Sequence, residues 1–214
     1  LKSQKCPVIF NANQACSLFS SLLNALSGSR QYKKSSFLQN CINIQVLPEN
    51  IDIMENPLEV KTIGSSAFDA DGMAKQKQFF VKNGKVISYI MGQYSANQMG
   101  LKSTANAGGI SNCYINSTID GSLEDLIKKM HKGLLVTDLM GQGINDTTGD
   151  YSRGAQGFWI ENGAIQYPVS GITIAGNLKS MFLNISAIAN DIDKRGNIKV
   201  GSTLITNMTI AGEN

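Results

Sequence analysis

Apolar residues recur at helical spacing near the start of the chain. They occupy positions that share one face of a helix: Leu18, Phe19, Leu22, Leu23 and Leu26. Gly28 follows at a position where helices often end, because glycine readily adopts the left-handed backbone conformation that a helix terminus requires. The pattern therefore predicts a helix of about three turns that is packed on one side.

Two later stretches have the same period. Ser122 and Asp125 have the spacing of a capping box, with an acid where Glu or Gln is usual. Gly133 ends the helix that this box begins, and the apolar face of that helix consists of Leu123, Leu126, Ile127 and Met130. A third helix is predicted further on, with an apolar face made of Leu178, Met181, Phe182, Ile185, Ile188 and Ala189.

Other segments alternate between apolar and polar residues, which is typical of strands. Ile42, Ile44 and Val46 follow this pattern and predict a half-buried strand that ends at Pro48. Apolar runs also predict three further strands, at residues 113–119, 198–200 and 204–210. The chain therefore mixes strands and helices without strict alternation.

Two Asn-Gly dipeptides, Asn83-Gly84 and Asn162-Gly163, stand between apolar, β-branched runs. Both residues tolerate the positive φ of a type I′ turn, so each dipeptide predicts a β-hairpin. An offset of 79 relates the hairpins, and the matching pairs include Phe79 and Phe158, Phe80 and Trp159, Val86 and Ile165, and Gly92 and Gly171. A duplicated β-rich unit explains this match, and convergence on a common hairpin design is the alternative. The predicted fold class is α+β: a β-rich domain with antiparallel hairpins, an internal repeat and about three packed helices.

Composition excludes several classes of protein. Of the 214 residues, 42% are hydrophobic, which is enough for a packed core. The net charge is +3 without a long basic block, so we expect no nucleic-acid partner. No apolar run approaches the ~20 residues of a transmembrane helix, so we expect no membrane association. The four cysteines have no CxxC spacing, which favours reduced thiols in a cytoplasmic protein. Because the chain starts at Leu1 without a signal peptide, we expect it to be part of a longer protein.

Three patterns resemble ligand sites but have simpler explanations. His131, the one histidine, lies near the end of a predicted helix, where a cation stabilises the helix dipole. Asp69 and Asp71 lack the remaining oxygen ligands of a calcium loop, so we expect an Asx-type turn. Gly141 and Gly143 lack the third glycine of a dinucleotide-binding motif. We therefore expect no nucleotide site and no cofactor in this chain.

A glycine-rich loop is predicted at residues 148–157, and it contains Asp150, Tyr151, Ser152, Arg153 and Gly154. One interpretation is a tight connection in which Asp150 and Arg153 pair locally. The other is that exposed backbone at the glycines, with Arg153 as a directional donor, lines a groove for a peptide or a partner chain. The sequence leaves both interpretations open.

Several motifs resemble one family. The longest is GLLVTDLMGQGINDTTGDYSRGAQGFWIENGAIQYPVSGITIAGNL at residues 133–178, and shorter ones are KKSSF, GSSAFDADGMAKQ, STANAGG and IANDID. By these motifs the chain resembles the PmbA/TldD family, also called modulator of DNA gyrase, and within it the PmbA (TldE) branch. The resemblance covers nearly the whole chain and corresponds to the C-terminal half of such a protein. Residues 1–214 are therefore expected to be one C-terminal domain.

The resemblance also implies a site. The TldD branch resembles zinc metallopeptidases, with an HExxxH motif on a helix and a cysteine near the C-terminus. Alignment on Gly28 places Phe19, Ser20 and Asn24 at the histidine, glutamate and second histidine of that motif, and Val200 at the cysteine. None of the four supplies the expected ligand or base. The resemblance thus implies a degenerate metal site here, no catalytic residue, and zinc only in a TldD-like partner.

The function that the resemblance implies is a metal-free, TldE-like subunit of a cytoplasmic metallopeptidase that degrades or processes unfolded and small peptides. Its partner would be a TldD-like HExxxH subunit or a second copy of itself, and its substrate a peptide. Two alternatives stay open. One is a stand-alone peptide-binding or chaperone-like module, and the other is a peptidase whose site needs an N-terminal half outside this chain.

Overall fold

The computed structural model describes residues 2–212, which form two compact units. The first unit takes the chain up to Leu18, Ser117–Asp193 and the residues from Val200 onward. The second takes Phe19–Asn116 and Lys194–Lys199. Each unit contains a sheet of its own. The mixture of strands and helices confirms the predicted α+β class.

The described residues contain five helices: α1 Ala12–Ala25, α2 Gly28–Tyr32, α3 Gln93–Met99, α4 Leu123–Met130 and α5 Leu178–Leu183. They also contain eleven strands: β1 Gln4–Phe10, β2 Ile53–Glu55, β3 Gln78–Lys82, β4 Lys85–Val86, β5 Cys113–Ile115, β6 Gly133–Met140, β7 Asp150–Glu161, β8 Ala164–Asn177, β9 Ile185–Ile188, β10 Ile198–Lys199 and β11 Thr203–Ala211. Within residues 2–212, no helix combines the length and the apolar character that crossing a membrane requires.

Five strands of the first unit form a closed sheet in the order β1, β6, β7, β8 and β11, with β11 pairing back to β1. β1 and β6 are parallel, and the other neighbouring strands are antiparallel. β9 adds to β11 as an antiparallel sixth strand. Because the sheet closes on itself, alternate residues of a strand face its inside.

A core cluster in the first unit joins α4 to the sheet. Its buried members are Ile9, Leu126, Ile127, Met130, Leu135, Ile160, Ala187, Ala189 and Leu204. The helix α4 begins as predicted, because the backbone N–H of Ser122 donates to Asp125 Oδ2 at 2.9 Å and the Ser122 side chain completes the capping box. A helix with one apolar face has to bury it against another element, and here it does so against strands.

The second unit contains a five-stranded sheet in the order β10, β5, β2, β3 and β4. β10 and β5 are parallel, and the other neighbours are antiparallel. Its largest fully buried side chains are apolar and include Phe19, Leu22, Leu26, Phe37, Leu47, Ile51, Ile53, Phe80 and Ile115. The apolar face predicted for residues 18–26 is therefore confirmed.

Both predicted hairpin turns are confirmed. Asn83 and Gly84 join β3 to β4 with φ of 49° and 70°, and Asn162 and Gly163 join β7 to β8 with φ of 53° and 69°. One hairpin lies in each unit, and a further antiparallel strand, β2 or β6, flanks each of them. The strands differ in length, with five and two residues against twelve and fourteen. The duplication therefore stays a hypothesis.

The prediction of a third helix through Ala189 is wrong in its second half. α5 ends at Leu183, and Ile185–Ile188 instead forms β9, which pairs with β11. Ile185 and Ala187 are buried while Ser186 between them is exposed, which is a period of two rather than a helical period. The β-branched isoleucines fit this strand, because their side chains pack well on a pleated surface.

The predicted strand at residues 42–46 is also wrong. Asn43 adopts a φ of 64°, and the backbone N–H of Ile44 donates to the carbonyl of Cys41, so the chain turns there. Only isolated bridges form, and Ile44 is 55% exposed. The strands predicted at 113–119, 198–200 and 204–210 are present as β5, β10 and β11, the first of them much shorter than predicted.

Gly28 has a role that its position after an apolar stretch did not predict. α1 ends at Ala25, and Gly28 begins α2 instead of ending α1. A Cβ atom at Gly28 would lie 2.6 Å from Met91 Cγ and 2.6 Å from Ser95 Oγ. Glycine therefore permits the close approach of α2 to α3. The sequence pattern predicts neither of these two helices, because they are short and largely polar.

Candidate functional site

Residues 150–154 form a strand, which corrects the predicted loop. They open β7, where Arg153 pairs with Ile174 and Gly154 pairs with both Thr173 and Met140. The backbone N–H of Ser152 donates to the carbonyl of Gly143 at 2.6 Å. Glycine and serine have low strand propensity, but backbone pairing with neighbours outweighs that preference here.

Asp150 and Arg153 lie on opposite faces of this strand because they are three residues apart. Thr148 Oγ1 donates to Asp150 Oδ2 at 2.6 Å and Asn177 Nδ2 donates to Oδ1 at 3.3 Å, and these bonds hold the pKa of Asp150 below its ordinary value. The Arg153 guanidinium instead donates to Ser17 Oγ, at 3.5 Å. The predicted local pair of Asp150 with Arg153 is not formed in the part of the chain that the structure describes.

Tyr151 shares its face with Arg153 and is only 3% exposed. Its ring meets Phe10 edge to face, with 6.5 Å between the ring centroids. Burial raises the pKa of Tyr151 to about 12, because it disfavours the charged phenolate, and the nearby Arg153 opposes this only in part. Tyr151 therefore stays neutral and packs in the interior, while Asp150 and Ser152 present exposed side chains.

A polar cluster under the first turns of α1 surrounds Arg153. Asn11 Nδ2 and Gln14 Nε2 donate to the carbonyl of Thr137 at 3.4 and 3.3 Å, and Arg153 Nη2 donates to the carbonyl of Leu139 at 3.5 Å. Arg153 Nε is buried, and no acceptor for it lies within residues 2–212. These contacts attach the start of α1 to the closed sheet, so the main role they support is structural.

His131 and Gly143 also have structural roles. His131 is the C-cap of α4 with φ of 63°, which confirms its helix-terminal position. Its carbonyl accepts a hydrogen bond from the backbone N–H of Gly163 at 2.8 Å and so attaches α4 to the second hairpin turn. The position that a Cβ atom of Gly143 would take is occupied by the backbone of Ser152. The four cysteines are reduced thiols and not disulfide partners, as predicted: Cys6, Cys16, Cys41 and Cys113.

The four positions predicted to form a degenerate metal site have different environments. Phe19, Ser20 and Asn24 lie on α1 within the second unit, and Val200 follows β10 and belongs to the first unit. Phe19 and Val200 are 0% exposed, whereas Ser20 and Asn24 are exposed. Positions five apart on a helix point about 140° away from each other, so Phe19 enters the core and Asn24 faces outward. Whether Val200 joins the other three in one site stays a prediction.

A cleft of about 410 Å³ opens in the second unit beside α2 and α3, and we call it the α2–α3 cleft. Its volume is in the range of ligand-binding pockets, roughly 300–1,000 Å³. The lining combines Asn24 with Asp71, Asn106 and two aromatic rings, Tyr32 and Tyr94. Most of the remaining lining is serine, alanine or glycine, so backbone is exposed to the cleft.

Asp69 lies outside the lining of the α2–α3 cleft and bonds to the backbone of two residues that line it, Asp71 and Ala107. Its Oδ1 accepts hydrogen bonds from the N–H groups of Asp71 and Met73, both at 2.9 Å, which confirms the predicted Asx turn. Its Oδ2 accepts from the N–H of Ala107 at 2.9 Å and so joins the turn to the loop at residues 104–111. Burial raises the pKa of Asp69, but these bonds and the charge of Lys75 outweigh it and leave the pKa below its ordinary value.

Glu55 holds the loop at residues 104–111 in place from the interior of the second unit. It is 0% exposed, and Asn106 Nδ2 donates to both of its carboxylate oxygens at 3.0 Å. The N–H of Ser111 and Nε2 of Gln78 donate to it at 2.6 and 2.8 Å. A buried carboxylate needs such donors, because burial of even a neutral polar group without them costs on the order of 2–7 kcal/mol and burial of a charged group costs more. The network therefore sets where Asn106 stands in the cleft lining.

The sequence predicts parts of this cleft but not the cleft itself. The turn at Asp69 and Asp71 is predicted, the motif STANAGG contributes to the family resemblance, and Asn24 is predicted for a different reason, as part of a degenerate metal site. No periodicity brings these segments together, because tertiary contacts made by Glu55 and Asp69 do so. Tyr32 and Tyr94 carry no local signal of function at all.

Comparison with known proteins decides the family. A family model described as the PmbA/TldA metallopeptidase C-terminal domain matches residues 3–212. The chain belongs to this family. The resemblance stated from the motifs is thereby confirmed over nearly the whole chain.

Relatives of this PmbA/TldA domain are similar in sequence and in structure. The protein named Metalloprotease PmbA from Escherichia coli O157:H7 is 47% identical over 213 residues, which are 100% of this chain and 47% of that protein. A crystal structure of a modulator of DNA gyrase from Bacteroides thetaiotaomicron superposes with a TM-score of 0.94 at 30% identity, covering 100% of this chain and 48% of that one. TldE from Thermococcus kodakarensis gives 0.85 at 26% identity, covering 99% and 51%. The chain spans about half the length of these relatives.

The residues of this PmbA/TldA domain do not fit the zinc that a metallopeptidase name implies. Zinc is held by Cys, His, Asp or Glu side chains. Phe19 and Val200 are apolar and completely buried, and Ser20 and Asn24 are neutral. Within residues 2–212, no three His, Cys, Asp or Glu side chains are grouped closely enough to hold a metal ion. These four side chains therefore do not form a set of ligands for zinc.

Proposed function

We propose that this chain is part of the metal-free, TldE-like subunit of a two-subunit cytoplasmic metallopeptidase that processes unfolded and small peptides. The metal-bearing subunit would be a TldD-like protein with an HExxxH motif, or the assembly would contain a second copy of this protein. Zinc and the catalytic glutamate would belong to the TldD-like partner. This chain would supply structural support and part of the peptide-binding surface.

The observation that carries the proposal is Phe19. The resemblance of motifs predicts that it stands at the position of the first HExxxH histidine, and on α1 it is 0% exposed. An aromatic hydrocarbon in the core offers no lone pair to a cation, and its burial makes replacement by a charged or metal-binding group costly. Ser20 cannot replace the glutamate as a general base near neutral pH, because a serine hydroxyl does not ionise there.

The relatives support the same proposal. The solved neighbour named TldE is similar along 99% of this chain, and the family description names a metallopeptidase. Two surfaces are candidates for peptide or partner contact in such an assembly. One is residues 150–154, through the exposed side chains of Asp150 and Ser152, and the other is the α2–α3 cleft.

Metal analysis and peptidase assays test this proposal. The full-length protein is purified alone and mixed with a TldD-like HExxxH protein from the same genome. We expect substoichiometric zinc in the protein alone, and cleavage of unfolded peptides only in the mixture. A partner whose HExxxH glutamate is replaced by glutamine is the matched control, and its mixture should be inactive.

Three outcomes distinguish the alternatives. Stoichiometric zinc in the protein alone would overturn the proposal. Peptidase activity of the protein alone that survives chelators would favour a site completed by the N-terminal half. Peptide binding with no effect on the activity of any HExxxH protein would favour a stand-alone binding module.

A further inference from the structure

The lining of the α2–α3 cleft carries one formal charge. That charge is Asp71, and among the residues that the structure describes no lysine, arginine or histidine lines the cleft. The other polar groups in the lining are amides, hydroxyls and backbone. A concave surface whose lining charge is a carboxylate attracts cations, because low-dielectric walls focus its field.

Only one carboxylate oxygen of Asp71 accepts a hydrogen bond from the described residues. Its Oδ2 accepts a hydrogen bond from the backbone N–H of Gln93 at 2.8 Å, at the start of α3. The side chain is exposed, and no donor to its Oδ1 lies within residues 2–212. One carboxylate oxygen is therefore available to a ligand.

Glu55 adds a second negative charge behind the lining. It lies under Asn106, and its described hydrogen-bond partners, Asn106, Gln78 and the backbone of Ser111, are all neutral. Two lysines oppose this charge, since Lys75 Nζ donates to Ser111 Oγ at 2.7 Å and the buried Lys199 acts on the Cys113 thiol with the opposite sign to Glu55. Asp71 is therefore the carboxylate on which the choice of ligand depends.

Two tyrosine rings provide the apolar part of the cleft. Tyr32 and Tyr94 meet edge to face with 6.0 Å between their centroids, and Tyr94 is 67% exposed. A ring with this exposure can pack against an apolar or aromatic side chain. Lys33 Nζ already lies 5.7 Å from the centroid of Tyr32, which shows that this ring tolerates an ammonium group nearby.

We propose that the α2–α3 cleft binds the amino-terminal end of a peptide, with the terminal ammonium group on Asp71 and the first side chain against Tyr94. The inference rests on the proposed function in that it takes the ligand to be a peptide. The ligand class follows from the lining, because a peptide amino terminus joins a primary ammonium group to an apolar side chain and a backbone amide. The exposed backbone of Gly108 and Gly109 suits close approach by that amide, since neither residue has a side chain.

Binding of two matched peptides tests the inference. The probes are Phe-Ala-Ala amide with a free amino terminus and the same peptide with an acetylated amino terminus, titrated into the full-length protein by calorimetry. A chelator is present and no partner is added, so the result does not depend on metal content or on assembly with a TldD-like subunit. We expect the free amine to bind about five- to tenfold more tightly, as one partly solvated ion pair allows.

Three variants make the test specific. Asp71→Asn keeps an oxygen acceptor for the N–H of Gln93 but removes the charge, so the preference for the free amine should disappear. Asp52→Asn is the matched control, because Asp52 also accepts a backbone N–H, from Asn83 at 2.6 Å, and does not line the cleft. It should keep the preference. Tyr94→Ala should weaken both peptides equally, by about threefold or more.

The inference is overturned if wild-type protein binds neither peptide, if it binds both with equal affinity, or if Asp71→Asn retains the preference while it remains folded by circular dichroism. Different measurements would contradict the proposed function. These are stoichiometric zinc in the protein alone, or peptidase activity of a TldD-like partner that the protein does not change. Neither result alters the comparison of the two peptides.

Discussion

Residues 150–154 and the α2–α3 cleft both concentrate small and polar residues, but they use similar side chains in opposite ways. In the first region Tyr151 is 3% exposed and packs on Phe10, whereas in the second Tyr94 is 67% exposed. Asp150 accepts hydrogen bonds on both oxygens, whereas Asp71 uses one. The first region is committed to holding a sheet together, and the second presents groups to solvent.

The difference comes from the partners with which the backbone N–H and C=O groups form hydrogen bonds. In β7 the chain is paired with β6 and β8, and the side chains of alternate residues must face inward. In the cleft the loops have no such ladder, so buried carboxylates from Glu55 and Asp69 bind their N–H groups from beneath. Side chains on those loops are then free to face a ligand. A glycine-rich stretch is therefore a better indication of a binding site when its backbone bonds to buried side chains beneath it than when it pairs with neighbouring strands.

The largest expected effect is on folding, and it separates the two tyrosines. Tyr151→Ala should lower the free energy of unfolding by about 3–5 kcal/mol, since it removes a buried aromatic ring and leaves a cavity. Tyr94→Ala, the same change at an exposed ring, should lower it by less than about 1 kcal/mol. Urea denaturation measures both. Equal losses for the two variants would contradict the comparison.

A somewhat smaller effect is expected from removing the buried carboxylate behind the cleft. Glu55→Ala leaves Asn106 Nδ2, Gln78 Nε2 and the N–H of Ser111 without their acceptor, so it should destabilise the protein by about 2–4 kcal/mol. Amide hydrogen exchange should accelerate at residues 104–111. Glu49→Ala, at an exposed glutamate, is the control and should change neither quantity. Unchanged exchange in Glu55→Ala would show that other contacts hold the loop.

Periodicity predicted the elements whose packing is local. The apolar face of residues 18–26, the capping box of Ser122 and both Asn-Gly turns need only neighbouring residues, and the structure has all of them. The errors at residues 150–154 and 185–188 came where a distant strand decides the outcome. Residues 185–188 carry apolar positions compatible with helix or strand, and pairing with β11 selects the strand.

The candidate site could be predicted only in part, for the same physical reason. The family motifs identified Phe19, Ser20, Asn24 and Val200, and the chemistry of these residues is visible in the sequence. That Phe19 is in the core while Asn24 lines a cleft depends on the tertiary packing of α1. The cleft requires contacts such as Asp69 to Ala107, which join segments with no shared period.

The pH dependence of stability should distinguish the two regions further. The pKa of Asp69 lies below its ordinary value of 3.8, so its stabilising effect is complete above that value and is lost as the pH falls through the lower folded-state pKa. Asp69→Asn should therefore be clearly less stable than wild type at pH 7, and the difference should be smaller at an acidic pH below 3.8, because this stabilisation is lost as Asp69 becomes protonated. Urea denaturation at both pH values measures this. A difference that grows on acidification would contradict the assigned direction of the pKa.

The smallest effect is expected from Asp150→Asn. The pKa of Asp150 is also lowered, by hydrogen bonds from Thr148 and Asn177, so the sign of the pH dependence is the same as for Asp69. The group is exposed, and solvent screens it, so the loss of stability at pH 7 should be smaller than for Asp69→Asn. The preference of the protein for a free peptide amine should not change, because Asp150 does not line the α2–α3 cleft. If Asp150→Asn abolishes that preference while Asp71→Asn preserves it, the peptide amino terminus binds at residues 150–154, and the functional assignment of the two regions has to be exchanged.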